Sequence, residues 1–209
     1  MSKERKGNSN SVTANIGMST VWHPEQIAND DFYTTDPAAV REFLDTVHEC
    51  YVPHGQIVWE PACGTGNISE VLKEYGYVPY STDLKDRGYG ISSVDFLQVG
   101  MVAGCKTIIT NPPYSLATEF IEHAMEILPD YGYYIALMDL NYLAGQRRHD
   151  AIYSNKYLKA IWIYTHRILC WKNDVQDGHR SPVNYAWYIF QRGTPPGGFV
   201  LPPTIHWIT

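Results

Sequence analysis

The fold class of this chain is indicated by Ile57-Val58-Trp59-Glu60-Pro61-Ala62-Cys63-Gly64-Thr65-Gly66-Asn67. An apolar strand ends there in an acid, passes through a loop of small residues with two glycines, and enters a helix that begins near Asn67. Glycines let the backbone approach a ligand closely, and α/β folds bind cofactors where a strand turns into a helix at the carboxyl edge of the sheet. The stretch therefore predicts an α/β fold with a cofactor site at this turn.

Two familiar glycine-loop patterns do not fit these residues. The dinucleotide-binding pattern requires a third glycine three residues after Gly66, where this chain has Ser69. The P-loop pattern requires Gly-Lys-Ser or Gly-Lys-Thr, which does not follow. A further acid, Asp83, closes the next predicted strand, and a carboxylate there can accept hydrogen bonds from both hydroxyls of a ribose. The alternative for Asp83 is a solvated loop aspartate.

A second motif, Asn111-Pro112-Pro113-Tyr114, directly follows a β-branched run at residues 106–110 that is typical of a buried strand. Two consecutive prolines remove two backbone donors and fix two φ angles, so the segment is stiff and extended. Its carbonyls and the Asn111 amide oxygen become fixed acceptors, with the Tyr114 ring beside them. This arrangement suits a planar amino group, which offers two hydrogens and a face for stacking. The alternative is an ordinary Pro-Pro turn with Tyr114 in the core.

Together the two motifs resemble those of S-adenosylmethionine-dependent amino-methyltransferases, specifically the DNA adenine-N6 group, over residues 30–192. The segment Asp30-Asp31-Phe32-Tyr33-Thr34-Thr35-Asp36-Pro37 is similar to a family motif, and its place before the glycine loop matches the gamma order of motifs. The resemblance implies S-adenosylmethionine as cofactor and a Rossmann-like methyltransferase fold. That fold has a central, mostly parallel seven-stranded sheet, an antiparallel strand near one edge, and helices on both faces.

The resemblance also assigns residues to each part of the cofactor. The residues implied at the methionine end are Tyr33, Thr34, Thr35, Glu60, Pro61, Ala62, Cys63, Gly64, Gly66 and Asn67. Asp83, with Leu84 beside it, is implied at the ribose, and Asp95 and Phe96 at the adenine ring of the cofactor.

The target base is expected at Asn111, Pro112, Pro113 and Tyr114. If the Asn111 side chain and the Pro112 carbonyl accept both hydrogens of an exocyclic adenine amine, they free its conjugated lone pair for attack without a strong base. A base inside a duplex cannot reach such a pocket, so it must flip out, and stacking on Tyr114 compensates part of the lost stacking. Trp171 is the candidate for the opposite ring face; the alternative is a half-buried loop tryptophan.

The formal net charge of −6 is unevenly distributed. Residues 30–139 carry seventeen acidic and five basic residues, whereas residues 140–209 carry three acidic and eight basic residues. A basic surface beside an acidic catalytic half could follow the phosphates of DNA, which we expect to be the partner. The substrate-binding candidates on that surface are Arg147, Arg148, Arg167 and Arg180. Any one of them could instead be a solvated surface residue.

Length and composition fit one catalytic domain, since 209 residues with 44% hydrophobic content can bury a single core. We expect a flexible leader at 1–29, the methyltransferase domain at 30–192 and an extended tail at 193–209. No apolar run approaches the roughly 20 residues of a membrane span. The four cysteines lack metal-site spacing, so we expect no metal and a reduced, cytoplasmic chain.

Local patterns predict the individual elements. Helices are expected at 37–49, 67–75, 116–128 and 145–155. Strands are expected at 56–60, 78–83, 106–110, 133–138, 158–164 and 184–190, with weaker signals at 92–94 and 205–207. A parallel sheet follows from the alternation, and the strands at 158–164 and 184–190 are expected to be antiparallel.

Other functions share these motifs. A glutamine amide in a protein and an adenine in RNA present the same planar NH₂, so both remain alternatives to DNA adenine. Cytosine-N4 methylation is less favoured, because that group more often has Ser or Thr at the position of Asn111. The chain could also be an inactive cofactor-binding subunit. The catalytic pattern leaves no room for a separate recognition domain, so we expect relaxed or short sequence specificity, or specificity supplied by a partner protein.

Overall fold

The computed structural model describes residues 31–47, 50–51, 53–153, 157–174, 183–193 and 201–209. The predicted leader at 1–29 and the candidate Arg180 lie outside these ranges. The described strands are β1 (Tyr33–Thr35), β2 (Ile57–Glu60), β3 (Val78–Ser81), β4 (Thr107–Thr110), β5 (Tyr133–Asp139), β6 (Leu158–Tyr164), β7 (Cys170–Lys172), β8 (Tyr185–Gln191) and β9 (Thr204–Ile208).

Seven of these strands form one sheet in the order β3-β2-β4-β5-β8-β6-β9. β2 pairs in parallel with β3 and β4, and β4 pairs in parallel with β5. β8 runs antiparallel to both β5 and β6, while β9 is parallel to β6 and forms the edge. The predicted fold class, a mostly parallel seven-stranded sheet with one reversed strand near an edge, is confirmed.

Helices cover both faces of the sheet, as predicted. α1 (Pro37–Val47) and α2 (Asn67–Glu74) pack on one face, and α3 (Ala117–Ile127) packs on the other. α1 begins as its sequence indicates, because the Asp36 carboxylate accepts a hydrogen bond from the Ala38 amide at 2.9 Å and Pro37 needs no partner in the first turn. The carboxyl ends of β2, β3 and β4 therefore meet at one edge, between the two helical layers.

Two predicted elements are wrong. No strand forms at 92–94; Ile91 instead makes one isolated bridge with Thr82, and Ser93 turns the chain at a φ of 61°. Over its described residues 145–153, the helix predicted at 145–155 is reduced to one α-helical turn at Gln146–Arg148, followed by a π-helical turn at His149–Tyr153. Among the residues of this segment whose burial is described, only Ile152 is buried. Packing against the core therefore does little to hold a longer helix there.

The predicted tail contributes the edge strand of the sheet. β9 covers residues 204–208 and contains the weak strand signal at 205–207. Its Ile208 is fully buried, and the ring of His206 stacks on Trp162 at a centroid distance of 4.1 Å. Within the described parts of the chain, no helix is long and apolar enough to cross a membrane.

A buried hydrogen-bond chain joins the sheet to α1. The indole N–H of Trp187 donates to the Tyr164 hydroxyl at 2.7 Å, and that hydroxyl donates to the Ala39 carbonyl at 2.6 Å. The Trp187 ring also stacks on Phe43 at a centroid distance of 4.5 Å. These contacts fix α1 against β6 and β8. They also fix the end of the segment that precedes α1.

We expect Trp187→Phe to lower the free energy of unfolding by about 1–3 kcal/mol, because it removes buried volume and leaves the Tyr164 hydroxyl without its donor. The matched control is Trp207→Phe, whose side chain is 59% exposed and which should change stability by less than about 0.5 kcal/mol. Urea unfolding curves of both variants measure the difference. Equal effects would contradict the assigned core role of Trp187.

Candidate active site

A cavity of about 240 Å³ opens where β2, β3 and β4 end. The predicted site residues that line it are Tyr33, Pro61, Ala62, Asp83, Leu84, Asp95, Phe96, Asn111, Pro112 and Pro113. The structure thus brings together residues from all five sequence segments to which the motifs and the resemblance assigned the site. No metal-binding group of three or more His, Cys, Asp or Glu side chains occurs among the residues described.

Hydrogen bonds lock the ends of β2 and β3 to each other beside this cavity. The buried indole N–H of Trp59 donates to the Thr82 hydroxyl at 2.9 Å. One oxygen of the Asp83 carboxylate accepts from the Gly64 amide at 2.8 Å, and the other accepts from the Lys85 amide at 2.9 Å. Asp83 therefore fixes the glycine loop while it forms part of the cavity wall.

Glu60 lies behind the glycine loop, with only 1% of its surface exposed. Its carboxylate accepts a hydrogen bond from the Ser69 hydroxyl, and Ser69 also lies 2.5 Å from the Ser81 hydroxyl. Burial raises the pKa of Glu60 from 4.5 to about 8; the Ser69 hydrogen bonds oppose that rise, and the nearby Asp83 adds to it. Ser69, which replaces the third glycine of the dinucleotide pattern, is thus the buried partner of this acid.

The remaining glycine-loop residues are tightly packed. Gly64 has a φ of 55°, and a Cβ there would lie 2.7 Å from the Phe32 ring, so only glycine fits. Gly66 likewise has a φ of 89° and faces the Tyr89 ring. Burial raises the pKa of the Cys63 thiol to about 12, so it stays protonated and acts as a packing residue at neutral pH.

An N-terminal strap, defined here as residues 31–35, crosses the site. Asp31 accepts a hydrogen bond from the Ser115 amide at 2.7 Å, just after the Pro-Pro motif. The Phe32 ring lies against Gly64 on one side and carries the Arg87 guanidinium 3.6 Å from its centroid. The strap therefore contacts both the glycine loop and the Pro-Pro motif.

A two-stranded antiparallel sheet holds this strap in place. β1, the carboxyl-terminal part of the strap, pairs with β7, so Thr34 lies opposite Trp171 and Thr35 opposite Cys170. Trp171 is half-buried, and the pairing brings it to the strap that lines the cavity. This pairing and the contacts of Arg87 and Asp31 have no signal in the sequence, although the resemblance did mark the segment that contains the strap.

The Asn111 amide is held in one orientation. Its nitrogen donates to the Tyr33 carbonyl at 3.3 Å and to the Thr35 hydroxyl at 3.1 Å. Its oxygen is buried and has no hydrogen-bond partner. The reversed amide would place its oxygen against the Tyr33 carbonyl oxygen, which would be repulsive. Since an unpaired buried acceptor costs about 1–3 kcal/mol, this oxygen is available for a donor that enters the site.

Tyr114, the last residue of the Pro-Pro motif, is not among the residues that line the cavity. Its hydroxyl donates to the Tyr185 hydroxyl at 2.6 Å, and its ring centroid lies 5.0 Å from that of Tyr33. Burial holds the pKa of Tyr114 well above its ordinary range, so the side chain is neutral. The Tyr114 ring is therefore fixed beside Tyr33, whose carbonyl accepts from the Asn111 amide.

The basic candidates differ in their surroundings. Arg147 and Arg167 are exposed. Arg148 donates to the Tyr142 carbonyl at 2.9 Å and to the Ala144 carbonyl, and its guanidinium lies over the Tyr142 ring. Arg148 therefore holds the loop after β5 in place.

Comparison with known proteins shows the fold. No protein-family model and no curated protein sequence matches the chain. A protein from Listeria monocytogenes assigned to the class I S-adenosylmethionine-dependent methyltransferases matches with a TM-score of 0.56 and 13% identity, over 82% of this chain and 63% of its own. The methyltransferase subunit of a type I restriction-modification system from Streptococcus thermophilus gives 0.58 and 13%, over 79% and 46%.

A third match is magnesium protoporphyrin IX methyltransferase from Synechocystis, solved with S-adenosylmethionine bound, with a TM-score of 0.53 and 14% identity over 75% of this chain and 79% of its own. The chain spans less than two thirds of the Listeria protein and less than half of the restriction-modification subunit. At these identities the likeness concerns the fold, which is the Rossmann-like fold of class I methyltransferases.

The burial of Glu60 makes stability depend on pH in a defined direction. The pKa of Glu60 is about 8 in the folded state and 4.5 in the unfolded chain, so between these pH values the folded state holds one more proton. The stability that protonated Glu60 contributes is therefore fully present below about pH 4.5 and is lost as the pH rises through about 8. We expect Glu60→Gln to gain stability relative to the unchanged chain between about pH 5 and about pH 8. Urea unfolding across this range measures the gain; a pH-independent difference would contradict the assignment.

Proposed function

We propose that the chain is an S-adenosylmethionine-dependent methyltransferase that methylates the exocyclic N6 amino group of adenine in DNA, through a catalytic domain at residues 30–192. The observation that carries the proposal is the buried, unpaired amide oxygen of Asn111, fixed at the end of β4 beside the cavity. An acceptor held in this way suits a planar amine that must give up the delocalisation of its lone pair.

The residues around the cavity fit the proposed cofactor. The Asp83 carboxylate suits the ribose hydroxyls, and Asp95 and Phe96 line the same cavity, where the adenine ring of the cofactor is expected beside them. The glycine loop, which is expected at the methionine end, packs against the Phe32 and Tyr89 rings, and Glu60 of the same motif is buried. Tyr33, Pro61 and Ala62 complete the wall. When bound, the cofactor supplies an electrophilic methyl group on its sulfonium.

The residues of the chain provide positioning and charge stabilisation. The Asn111 oxygen would accept one hydrogen of the amine and orient the nitrogen lone pair toward the methyl group. Transfer would join the methyl carbon to this nitrogen as the carbon–sulfur bond breaks with its electron pair on sulfur, and the amine would then give up one proton to water. Positive charge that develops on the nitrogen is stabilised by the fixed amide dipole, so the step needs no strong base.

Several features favour a nucleic-acid substrate. The exposed Arg147 and Arg167 belong to residues 140–209, the third of the sequence in which basic residues predominate, as a phosphate-binding surface requires. Two aromatic rings near the strap could stack on a flipped base. Trp171 lies opposite Thr34 in the two-stranded sheet, and Tyr114 packs beside Tyr33. The similarity of the fold to a restriction-modification methyltransferase subunit agrees with a DNA substrate and with a specificity-conferring partner protein.

The experiment that tests the proposal is methyl transfer from labelled S-adenosylmethionine to DNA, RNA and protein in parallel, with the product identified by mass spectrometry. We expect N6-methyladenine in DNA. Methylation of RNA or of a glutamine amide would support the proposed methyl transfer to a planar amine but contradict DNA as its substrate. Cofactor binding without transfer to any of the three would indicate an inactive cofactor-binding subunit.

We expect Asn111→Ala to lower the rate of transfer by about 10²–10³-fold, as for the loss of one oriented dipole at a reacting centre. Cofactor affinity should change by less than about threefold, because the cavity keeps its other walls. The matched control is Gln191→Ala, which removes an amide opposite Tyr133, at the far end of the sheet from the site. Undiminished transfer by Asn111→Ala would overturn the catalytic role of Asn111.

A further inference from the structure

The orientation of the Asn111 amide depends on two acceptors of different kinds. The Tyr33 carbonyl belongs to the backbone of the strap, whereas the Thr35 hydroxyl is a side-chain group that a substitution can remove. One acceptor holds only one of the two amide hydrogens, so the side chain could still rotate about that bond. Both acceptors together fix the plane of the amide and leave its buried oxygen without a partner, available to a ligand.

Thr35 is itself held from several sides. It is 3% exposed, and the strand pairing places it opposite Cys170. The Asn67 side chain donates to the Thr35 carbonyl at 2.8 Å from the first position of α2. The next amide in the chain, that of Asp36, donates to the Leu169 carbonyl at 3.1 Å. The Thr35 hydroxyl is therefore a rigid acceptor, because the backbone that carries it cannot shift easily.

Thr35 also connects the two motifs that sequence reasoning treated separately. Asn67 closes the glycine loop and begins α2, while Asn111 begins the Pro-Pro motif. Thr35 accepts from Asn67 through its carbonyl and from Asn111 through its hydroxyl. A shift of the glycine loop would therefore reach the Asn111 amide through one residue.

We propose that Thr35 is a positioning residue for methyl transfer, in which its hydroxyl fixes the Asn111 amide so that the amide oxygen faces the target amine. This role rests on the proposed function. It differs from the cofactor-contact role that the resemblance implies, because the hydroxyl acts through Asn111 and affects the rate rather than cofactor affinity. Without the hydroxyl, one amide hydrogen loses its acceptor and the side chain gains rotational freedom.

The test compares Thr35→Val, which keeps the shape but removes the hydroxyl, with Thr35→Ser, which keeps the hydroxyl. We expect Thr35→Val to lower kcat about tenfold, which corresponds to the loss of one hydrogen bond. The KM for DNA and the Kd for S-adenosylmethionine should each change by less than about threefold. Thr35→Ser should restore kcat to within about threefold of the unchanged chain.

A second readout does not depend on activity. The side-chain amide hydrogens of Asn111, identified by the NMR signals that Asn111→Ala removes, should exchange with water about tenfold faster in Thr35→Val than in the unchanged chain or in Thr35→Ser. The matched control is Thr46→Val, which removes a hydroxyl that donates to the Glu42 carbonyl at 2.7 Å within α1. That variant should change neither kcat nor amide exchange.

The outcomes separate the two proposals. Faster amide exchange in Thr35→Val together with a lower kcat and an unchanged Kd supports the positioning role. Unchanged exchange overturns it, and so does a variant that loses cofactor affinity while kcat is retained. Absence of transfer by the unchanged chain would overturn the proposed function instead, and the exchange rates would still decide whether Thr35 fixes the Asn111 amide.

Discussion

Parallel pairing of β2, β3 and β4 is the constraint on which the site depends. Because neighbouring parallel strands end at the same edge, Glu60, Asp83 and Asn111 arrive together although they are far apart in the sequence. The hydrogen bond from Trp59 to Thr82 and the bond from the Gly64 amide to Asp83 hold two of these ends in register. A single rigid edge therefore carries both the cofactor cavity and the amine acceptor.

Buried polar groups at this edge fall into two kinds. Glu60 is satisfied by Ser69, and its raised pKa reflects an acid that the fold has enclosed. The Asn111 oxygen is buried without a hydrogen-bond partner. The hydroxyls of Thr110, the preceding residue, and of Thr34, in β1, are also buried and unpaired. Folded proteins seldom leave such atoms unpaired. Among these three residues, Asn111 is the one that lines the cavity, so its oxygen is the unpaired atom that a polar ligand there could reach.

The sequence predicted most of the sheet and much of the cavity, because the signals for them are local. The β-branched run before Asn111 and the glycine turn after Glu60 each specify their own conformation within a few residues. The pairing of β1 with β7 was not predictable, since two three-residue strands more than 130 residues apart carry no local signal. The π-helical turn at 149–153 was missed because helical spacing of apolar residues does not reveal how few of them reach the core.

The central claim is that the Asn111 oxygen accepts a hydrogen bond from the amine that is methylated. A crystal structure with a non-reactive analogue of S-adenosylmethionine and an adenine-containing oligonucleotide tests it most directly. We expect a flipped adenine whose N6 lies about 3 Å from the Asn111 oxygen, with the analogue in the cavity between the glycine loop and Asp95. A complex in which the Asn111 oxygen stays unpaired, or in which the adenine amine binds elsewhere, would contradict the account.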